Sequence, residues 1–147
     1  MAFSDTNHLT RITFAGFLAW LVPGLGHLYL GERHRGLTLL VVIAATFWGG
    51  VAMGGVVRTV EPQHRTAWFM AQLGTGGHTL AVLGWKQALK DAAPVYSWQA
   101  EDVAIVYTGV AGLLNLLVII DAMARADGGA RAAARAGPAA RTSRGGT

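Results

Sequence analysis

Four apolar stretches, separated by short polar or basic stretches, divide the chain. They are residues 12–30, 37–57, 66–85 and 103–122. A helix of roughly 20 residues, rising about 1.5 Å per residue, crosses the hydrocarbon core of a bilayer. The pattern therefore predicts an all-α, polytopic membrane helical bundle over residues 12–122, with four spans preferred and three as the alternative.

The four stretches differ in how well they fit a span. Residues 37–57 carry no charged side chain, and residues 103–122 carry only Asn115 at depth. Pro23 interrupts the first stretch, so its first part is either a short kinked helix or one arm of a hairpin. The glycine-rich residues 74–77 break the third stretch, and at membrane depth their backbone polar groups need hydrogen-bond partners from protein or water. Residues 66–85 thus remain a span, a re-entrant element or an interfacial helix.

Composition supports a membrane protein. Of 147 residues, 52% are hydrophobic and 14% are charged, which is too little polar surface to coat a soluble globule. The absence of cysteine excludes disulfides and thiolate metal sites. Residues 1–11 are polar and lack the features of a cleavable signal peptide, so the first span is expected to be retained. Residues 123–147 are rich in Ala, Arg and Gly and are predicted to form a disordered tail.

The distribution of basic residues predicts the orientation. Five of the twelve Lys and Arg residues follow position 122, and short loops rich in Lys and Arg face the cytoplasm. A cytoplasmic C-terminus in a bacterial inner membrane follows. Four spans leave eight basic residues inside and four outside, whereas three spans leave seven and five. The tail is also expected to attract anionic lipids, and nucleic acid is not an expected partner because no aromatic residues are interleaved with its arginines.

Two stripes of small or polar residues indicate close helix packing. One lies in the second stretch and the other in the last, with spacings of three and four residues that keep each stripe on one helix face. These faces are expected to meet each other or a second copy; the alternative is that such residues are simply common in membrane helices. The candidate packing residues are Thr46, Gly50, Gly54, Thr108, Gly112 and Asn115.

The run PGLGHLYLG, residues 23–31, is the most distinctive segment. Its first interpretation is structural. His27 and Tyr29 form hydrogen bonds with lipid phosphates or with the backbone carbonyl groups that lose their helical partner at Pro23, and Arg33 and Arg35 extend to the membrane surface. The alternative is a lipid-headgroup pocket that also includes Glu32 and His34, because guanidinium groups bind phosphate well. The candidate residues of this turn are Pro23, Gly24, Gly26, His27, Tyr29, Gly31, Arg33 and Arg35.

Sequence motifs for catalysis are lacking. The five histidines show no recognised metal-ligand spacing, and serines lie outside the strong spans. We therefore expect no enzyme activity, no metal and no cofactor. A small transporter subunit lined by Gln72, His78 and Asn115 is a lesser alternative, because broken helices with polar residues at depth are typical of transporters.

Two segments carry a resemblance to known families. Residues 14–31, followed by a basic stretch and Gly36, and residues 107–121 resemble an uncharacterised family of small multi-pass bacterial membrane proteins known from Planctomycetes. More distantly, the first segment is similar to the transmembrane-two domain, whose helix hairpin has a G-x-H-x-F/Y-L-G signature. The resemblance implies fold and location and transfers no catalytic residue. The sequence thus predicts a structural or protein-interaction role, with a homo-oligomer or a membrane protein as partner; a lipid-headgroup-binding or membrane-enzyme accessory role is the alternative.

Overall fold

The computed structural model describes residues 2–60, 66–88 and 98–136. Within these ranges every regular element is helical, which confirms the all-α prediction for the described residues. The elements are α1 (Ala2–Leu21), α2 (Leu25–Tyr29), α3 (Arg33–Gly54), α4 (Val56–Thr59), α5 (Thr66–Gln72), a 3-10 helix (Leu73–Thr75), α6 (Gly77–Ala88) and α7 (Trp98–Ala136).

Among the described residues, two helices are long and apolar enough to cross a membrane. They are α3, with 22 residues, and a 31-residue part of α7, Gln99–Gly129. The two helices run antiparallel: the C-terminal part of α3 packs on the N-terminal part of α7 through Gly54 and Ala104, and Arg35 at the start of α3 lies near Asp121. The pair forms the long axis of the bundle.

The first apolar stretch folds as a hairpin and not as one continuous helix. Helix α1 runs antiparallel to α7, with His8 Nε2 3.0 Å from Asp127 Oδ1 and Ala19 O bonded to Asn115. The end of α1 therefore lies beside the middle of α7. Helix α2 then returns toward the C-terminal end of α7, so that α3 begins where Glu32 meets Arg125.

Pro23 and two glycines produce this reversal. Proline cannot continue the helical hydrogen-bond ladder. Gly24 has φ 83° and Gly31 has φ 88°, a region that favours glycine. Gly24 also packs directly on the carbonyl oxygen of Gly36, where a Cβ would not fit.

The third apolar stretch is a second hairpin, which enters from the opposite end of the bundle. Its first arm, α5, runs parallel to α7, since Trp68 packs on Gly109 and, further along both segments, Gly74 packs on Gly112. The chain reverses after the 3-10 helix. Helix α6 then returns to the end of the bundle where the hairpin began, and there Lys86 Nζ donates to Val60 O at 3.2 Å. We call the end of the bundle near Arg125 the arginine-rich end, and the end near Val60 the opposite end.

Helix α7 continues beyond the predicted span. It is helical through Ala136, although the sequence analysis predicts disorder from residue 123. Alanine and arginine favour the helix, and Asp127 pairs with Arg131 one turn later and with His8 of α1. The polar N-terminal segment is likewise helical from residue 2. Residues 137–147 of the predicted tail lie outside the described residues.

The apolar core lies between the two long helices and the second hairpin. It consists of Ile43, Phe47, Val51, Val60, Val82, Ala111 and Val118.

Candidate functional site

The tips of the two hairpins meet beside Asn115, near the middle of α7. Asn115 Nδ2 donates to Ala19 O of the first hairpin at 3.0 Å and to Gly74 O of the second at 2.8 Å. Trp20 Nε1 donates to Leu73 O at 3.0 Å, which joins the tips directly. Asn115 is fully buried. One amide side chain therefore connects both hairpins to the long helix.

Glycines allow the backbones at this junction to touch. Gly76 and Gly77 pack on the carbonyl oxygens of Trp20 and Leu21, and Gly112 of α7 packs on Ala71 O. A Cβ at any of these glycines would collide with backbone. Such close approach is the usual role of small residues in membrane helix packing.

A buried polar network extends from the junction toward the opposite end. Gln72 Nε2 donates to Thr59 O at 2.8 Å and to Thr108 Oγ1 at 2.7 Å, and Thr108 Oγ1 donates to Ala104 O at 2.8 Å. Thr75 Oγ1 donates to the carbonyl of Gln72 at 2.9 Å. These donors bond to other protein groups, so the network holds α5 against α7 and α4.

A second polar group, the charged cluster, lies at the arginine-rich end and consists of His27, Glu32, Asp121 and Arg125. His27 Nε2 lies 2.9 Å from Asp121 Oδ2, and Arg125 Nε donates to the same oxygen at 3.0 Å. Arg125 Nη1 donates to Glu32 Oε1 at 3.0 Å. His27 is fully buried. The cluster thus fixes the turn between α1 and α3 to a point 94 residues away along the chain.

The remaining turn residues do not converge on one pocket. Tyr29 packs edge-on against Phe14, with ring centroids 5.3 Å apart. Arg33 is exposed, and Arg35 Nε lies 3.5 Å from Asp121 Oδ2. Since residues two apart on a helix face different directions, Arg33 and Arg35 do not form a joint site. The predicted partners of His27 were carbonyls or lipid phosphates, whereas the observed partner is a carboxylate.

The predicted packing residues take three different roles. A Cβ on Gly50 would lie 3.0 Å from Ala104 O and from Thr108 Cγ2, so this part of the stripes does meet within one chain, and Gly54 packs on Ala104 as well. Gly112 and Asn115, in contrast, contact the hairpins. The hydroxyl of Thr46 bonds to Val42 O of its own helix at 2.8 Å.

Sequence reasoning missed the partners that join distant segments. The bond of Asp121 to His27 joins residues 94 positions apart and leaves no local signature in the sequence. The indole nitrogen of Trp20 joins the hairpin tips through Leu73 O, a contact that the sequence pattern does not predict. Among the residues that the structure describes, no group of three or more His, Cys, Asp or Glu is arranged to hold a metal ion.

Comparisons with known proteins identify one family. A model described as "Family of unknown function (DUF6677)" matches residues 14–134. The comparisons with curated proteins and with solved structures give no match.

Proposed function

The chain belongs to this family of unknown function, and we propose that it is a multi-pass protein of the bacterial inner membrane with a structural or protein-interaction role and no catalytic activity. Membership confirms the predicted resemblance to an uncharacterised family. The Planctomycetes affiliation, the PGLGHLYLG motif as a family signature and the similarity to the transmembrane-two domain stay predictions.

The observation that carries this proposal is the pairing of two long apolar helices with two opposed hairpins. Helix α3 has 22 residues, which corresponds to about 33 Å and matches a hydrocarbon core of about 30 Å. With α3 and α7 as full crossings, the hairpin tips fall near the bilayer midplane. Irregular backbone is tolerated there when it is buried in protein. Asn115 donates hydrogen bonds to carbonyl groups of both tips, and the junction glycines let the backbones pack closely. The arrangement supports two crossings and two half-membrane hairpins in place of four spans.

Charge supports a cytoplasmic location for the arginine-rich end. Helix α1 begins there, α3 begins there, and α7 ends there, so the described parts of both terminal regions share one side. Among side chains that the structure describes, five basic and three acidic ones lie at this end, whereas one basic and two acidic ones lie at the opposite end. Among the described side chains, the basic ones are thus concentrated at the arginine-rich end, as expected for the cytoplasmic side. The residues at the arginine-rich end are Arg11, Arg33, Arg35, Arg125 and Arg131 with Glu32, Asp121 and Asp127; those at the opposite end are Lys86 with Glu101 and Asp102.

The use of the buried polar groups supports a structural role. Asn115, Gln72 and His27 each bond to another segment of the chain, over sequence separations of 96, 13 and 94 residues. Groups committed to holding the fold are poorly placed to bind a substrate. The lipid-headgroup pocket of the sequence analysis is weakened for the same reason, because two of its members, His27 and Glu32, belong to the charged cluster.

A transport role is the second candidate, and the opposed hairpins favour it. Transporter sites commonly lie where broken helices meet near the midplane. Of the three predicted lining residues, Gln72 and Asn115 lie near the junction, and the His78 ring packs at 5.6 Å from that of Phe47. Stopped-flow light scattering of proteoliposomes tests the idea with water as the probe. Permeability above that of empty liposomes would favour transport over a purely structural role.

Single introduced cysteines test the proposed topology, since the chain has none of its own. Asn7→Cys, His34→Cys, Gln87→Cys and Gly129→Cys are labelled with a membrane-impermeant maleimide in right-side-out and inverted vesicles. We expect positions 7, 34 and 129 to label from the cytoplasmic side and position 87 from the other side. Four spans would move position 34 to the side of position 87, and three spans would move position 7 there. Either pattern contradicts the proposal.

A further inference from the structure

An aromatic pair marks the outer face of the first hairpin at the arginine-rich end. The rings of Phe14 and Tyr29 meet edge to face, with centroids 5.3 Å apart and an interplanar angle of 69°. Both side chains are 47% exposed. Aromatic residues with a polar tip, such as Tyr29, are typical of the headgroup level of a membrane, so in the proposed topology the pair is expected near the lipid headgroups.

Two available arginines flank the pair. Arg11 lies three residues before Phe14 and therefore on the same face of α1, and Arg33 follows Tyr29 after the Gly31 turn. Both side chains are exposed, and within the described residues neither forms a side-chain hydrogen bond or an ion pair. Their charges are thus free for an external anion.

The other charges nearby are already engaged. Arg125 bonds to Asp121 and Glu32, and Arg131 bonds to Asp127. Since Glu32 and Asp121 are compensated within the charged cluster, they oppose an anion at Arg11 and Arg33 only weakly.

An apolar stripe continues from the aromatic pair toward the hairpin tip. Phe14, Phe17 and Leu21 occupy one face of α1 at spacings of three and four residues, with exposures of 47%, 53% and 36%. A stripe of this kind below a pair of cations matches the two parts of a phospholipid, which are a charged headgroup and an acyl chain.

We propose that the face formed by Arg11, Phe14, Phe17, Tyr29 and Arg33 binds an anionic phospholipid. The phosphate lies between the two guanidinium groups, which form charge-assisted hydrogen bonds with its oxygens, and an acyl chain follows Phe14 and Phe17 toward Leu21. This site differs from the headgroup pocket of the sequence analysis, because it uses Arg11 and excludes His27, Glu32 and Arg35. It rests on the proposed embedding of α1 from the cytoplasmic side.

Native mass spectrometry of the purified full chain in detergent tests the site, with retained lipid measured during titration with phosphatidylglycerol. The comparison ligands are phosphatidylcholine and inorganic phosphate. We expect phosphatidylglycerol to be retained preferentially. Arg11→Gln and Arg33→Gln should each weaken it about fivefold, as the usual contribution of one arginine near an anionic surface implies. Arg11→Lys should retain most of the binding.

Arg131→Gln is the matched control, since Arg131 lies at the same end and is exposed but is paired with Asp127. Equal retention of phosphatidylcholine, or an equal loss of phosphatidylglycerol in Arg131→Gln, would overturn the site in favour of unspecific attraction. Displacement of the lipid by millimolar phosphate would also overturn it, since the acyl stripe would then contribute nothing. The cysteine labelling is independent of lipid binding, so the two proposals fail separately.

Discussion

Replacement of Asn115 by alanine tests whether one side chain joins the two hairpins. Asn115 Nδ2 donates to Ala19 O at 3.0 Å and to Gly74 O at 2.8 Å, and its Oδ1 has no hydrogen-bond partner among the described residues. Asn115→Ala removes both donated bonds and leaves two carbonyl groups unpaired away from water.

The expected cost follows from the number of bonds lost. Interhelical hydrogen bonds in membranes contribute about 0.6 kcal/mol on average and up to about 2 kcal/mol. Two such bonds give a loss of about 1–4 kcal/mol in the free energy of unfolding. Thr46→Ala is a suitable control, because in the described part of the chain its hydroxyl bonds only to Val42 O of the same helix, and its loss should cost about 0.5 kcal/mol or less.

Reversible unfolding by SDS in mixed micelles, followed by the fluorescence of the five tryptophans, measures these free energies. A double-mutant cycle with Trp20→Phe adds a specific readout, since Trp20 joins the same two hairpin tips through Leu73 O. The double variant should lose less than the sum of the single losses, because the first change already loosens the contact. An Asn115→Ala loss equal to that of Thr46→Ala, or strict additivity with Trp20→Phe, would refute the role of Asn115 as a shared connector.

Two further substitutions address the packing and the charged cluster. Gly112→Ala should cost about 3 kcal/mol in the same unfolding assay, because the new Cβ would collide with Ala71 O. The control, Gly49→Ala, should change the free energy of unfolding by less than about 0.5 kcal/mol, because open space surrounds Gly49. Equal effects of the two substitutions would contradict the packing of Gly112 on α5. His27→Ala should cost about 2–4 kcal/mol, because it removes a buried side chain and its bond to the carboxylate of Asp121. The control, His34→Ala, should be nearly neutral because His34 is exposed. An unchanged free energy of unfolding in His27→Ala would refute a structural role of the charged cluster.

The breaks in the apolar pattern were readable from sequence, but the direction of the chain after each break was not. Pro23 and the glycines at 74–77 mark the two interruptions because proline and glycine end a helix through their own backbone chemistry. Whether the chain then continues across the bundle or folds back depends on what the returning arm meets. Here the returning segment contacts Asp121 through His27 of α2 and Arg125 through Glu32, just before α3, and these contacts have no local signature.

The candidate site shows the same division. The stripe prediction identified Gly50, Gly54 and Thr108 as a contact surface, since three- and four-residue spacing alone fixes a helix face. It also grouped Gly112 with that surface, although Gly112 contacts α5. Both faces carry small residues, and spacing cannot tell which neighbour occupies which face.

The sequence by itself determined that the described chain is helical, that residues 37–54 of the predicted span 37–57 and all of residues 103–122 lie within its long apolar helices, and where the intervening segments break. Those properties depend on backbone propensity and on apolar length, which act over a few turns of one helix. Only the tertiary structure decided that the broken segments are opposed hairpins that meet at Asn115, and that α7 remains helical beyond residue 122 alongside α1. The junction depends on hydrogen bonds from Asn115 to residues 96 and 41 positions away, and the contact of α7 with α1 beyond residue 122 depends on the pair of His8 and Asp127. The energies of these contacts exist only when the packed helices bring the partners together.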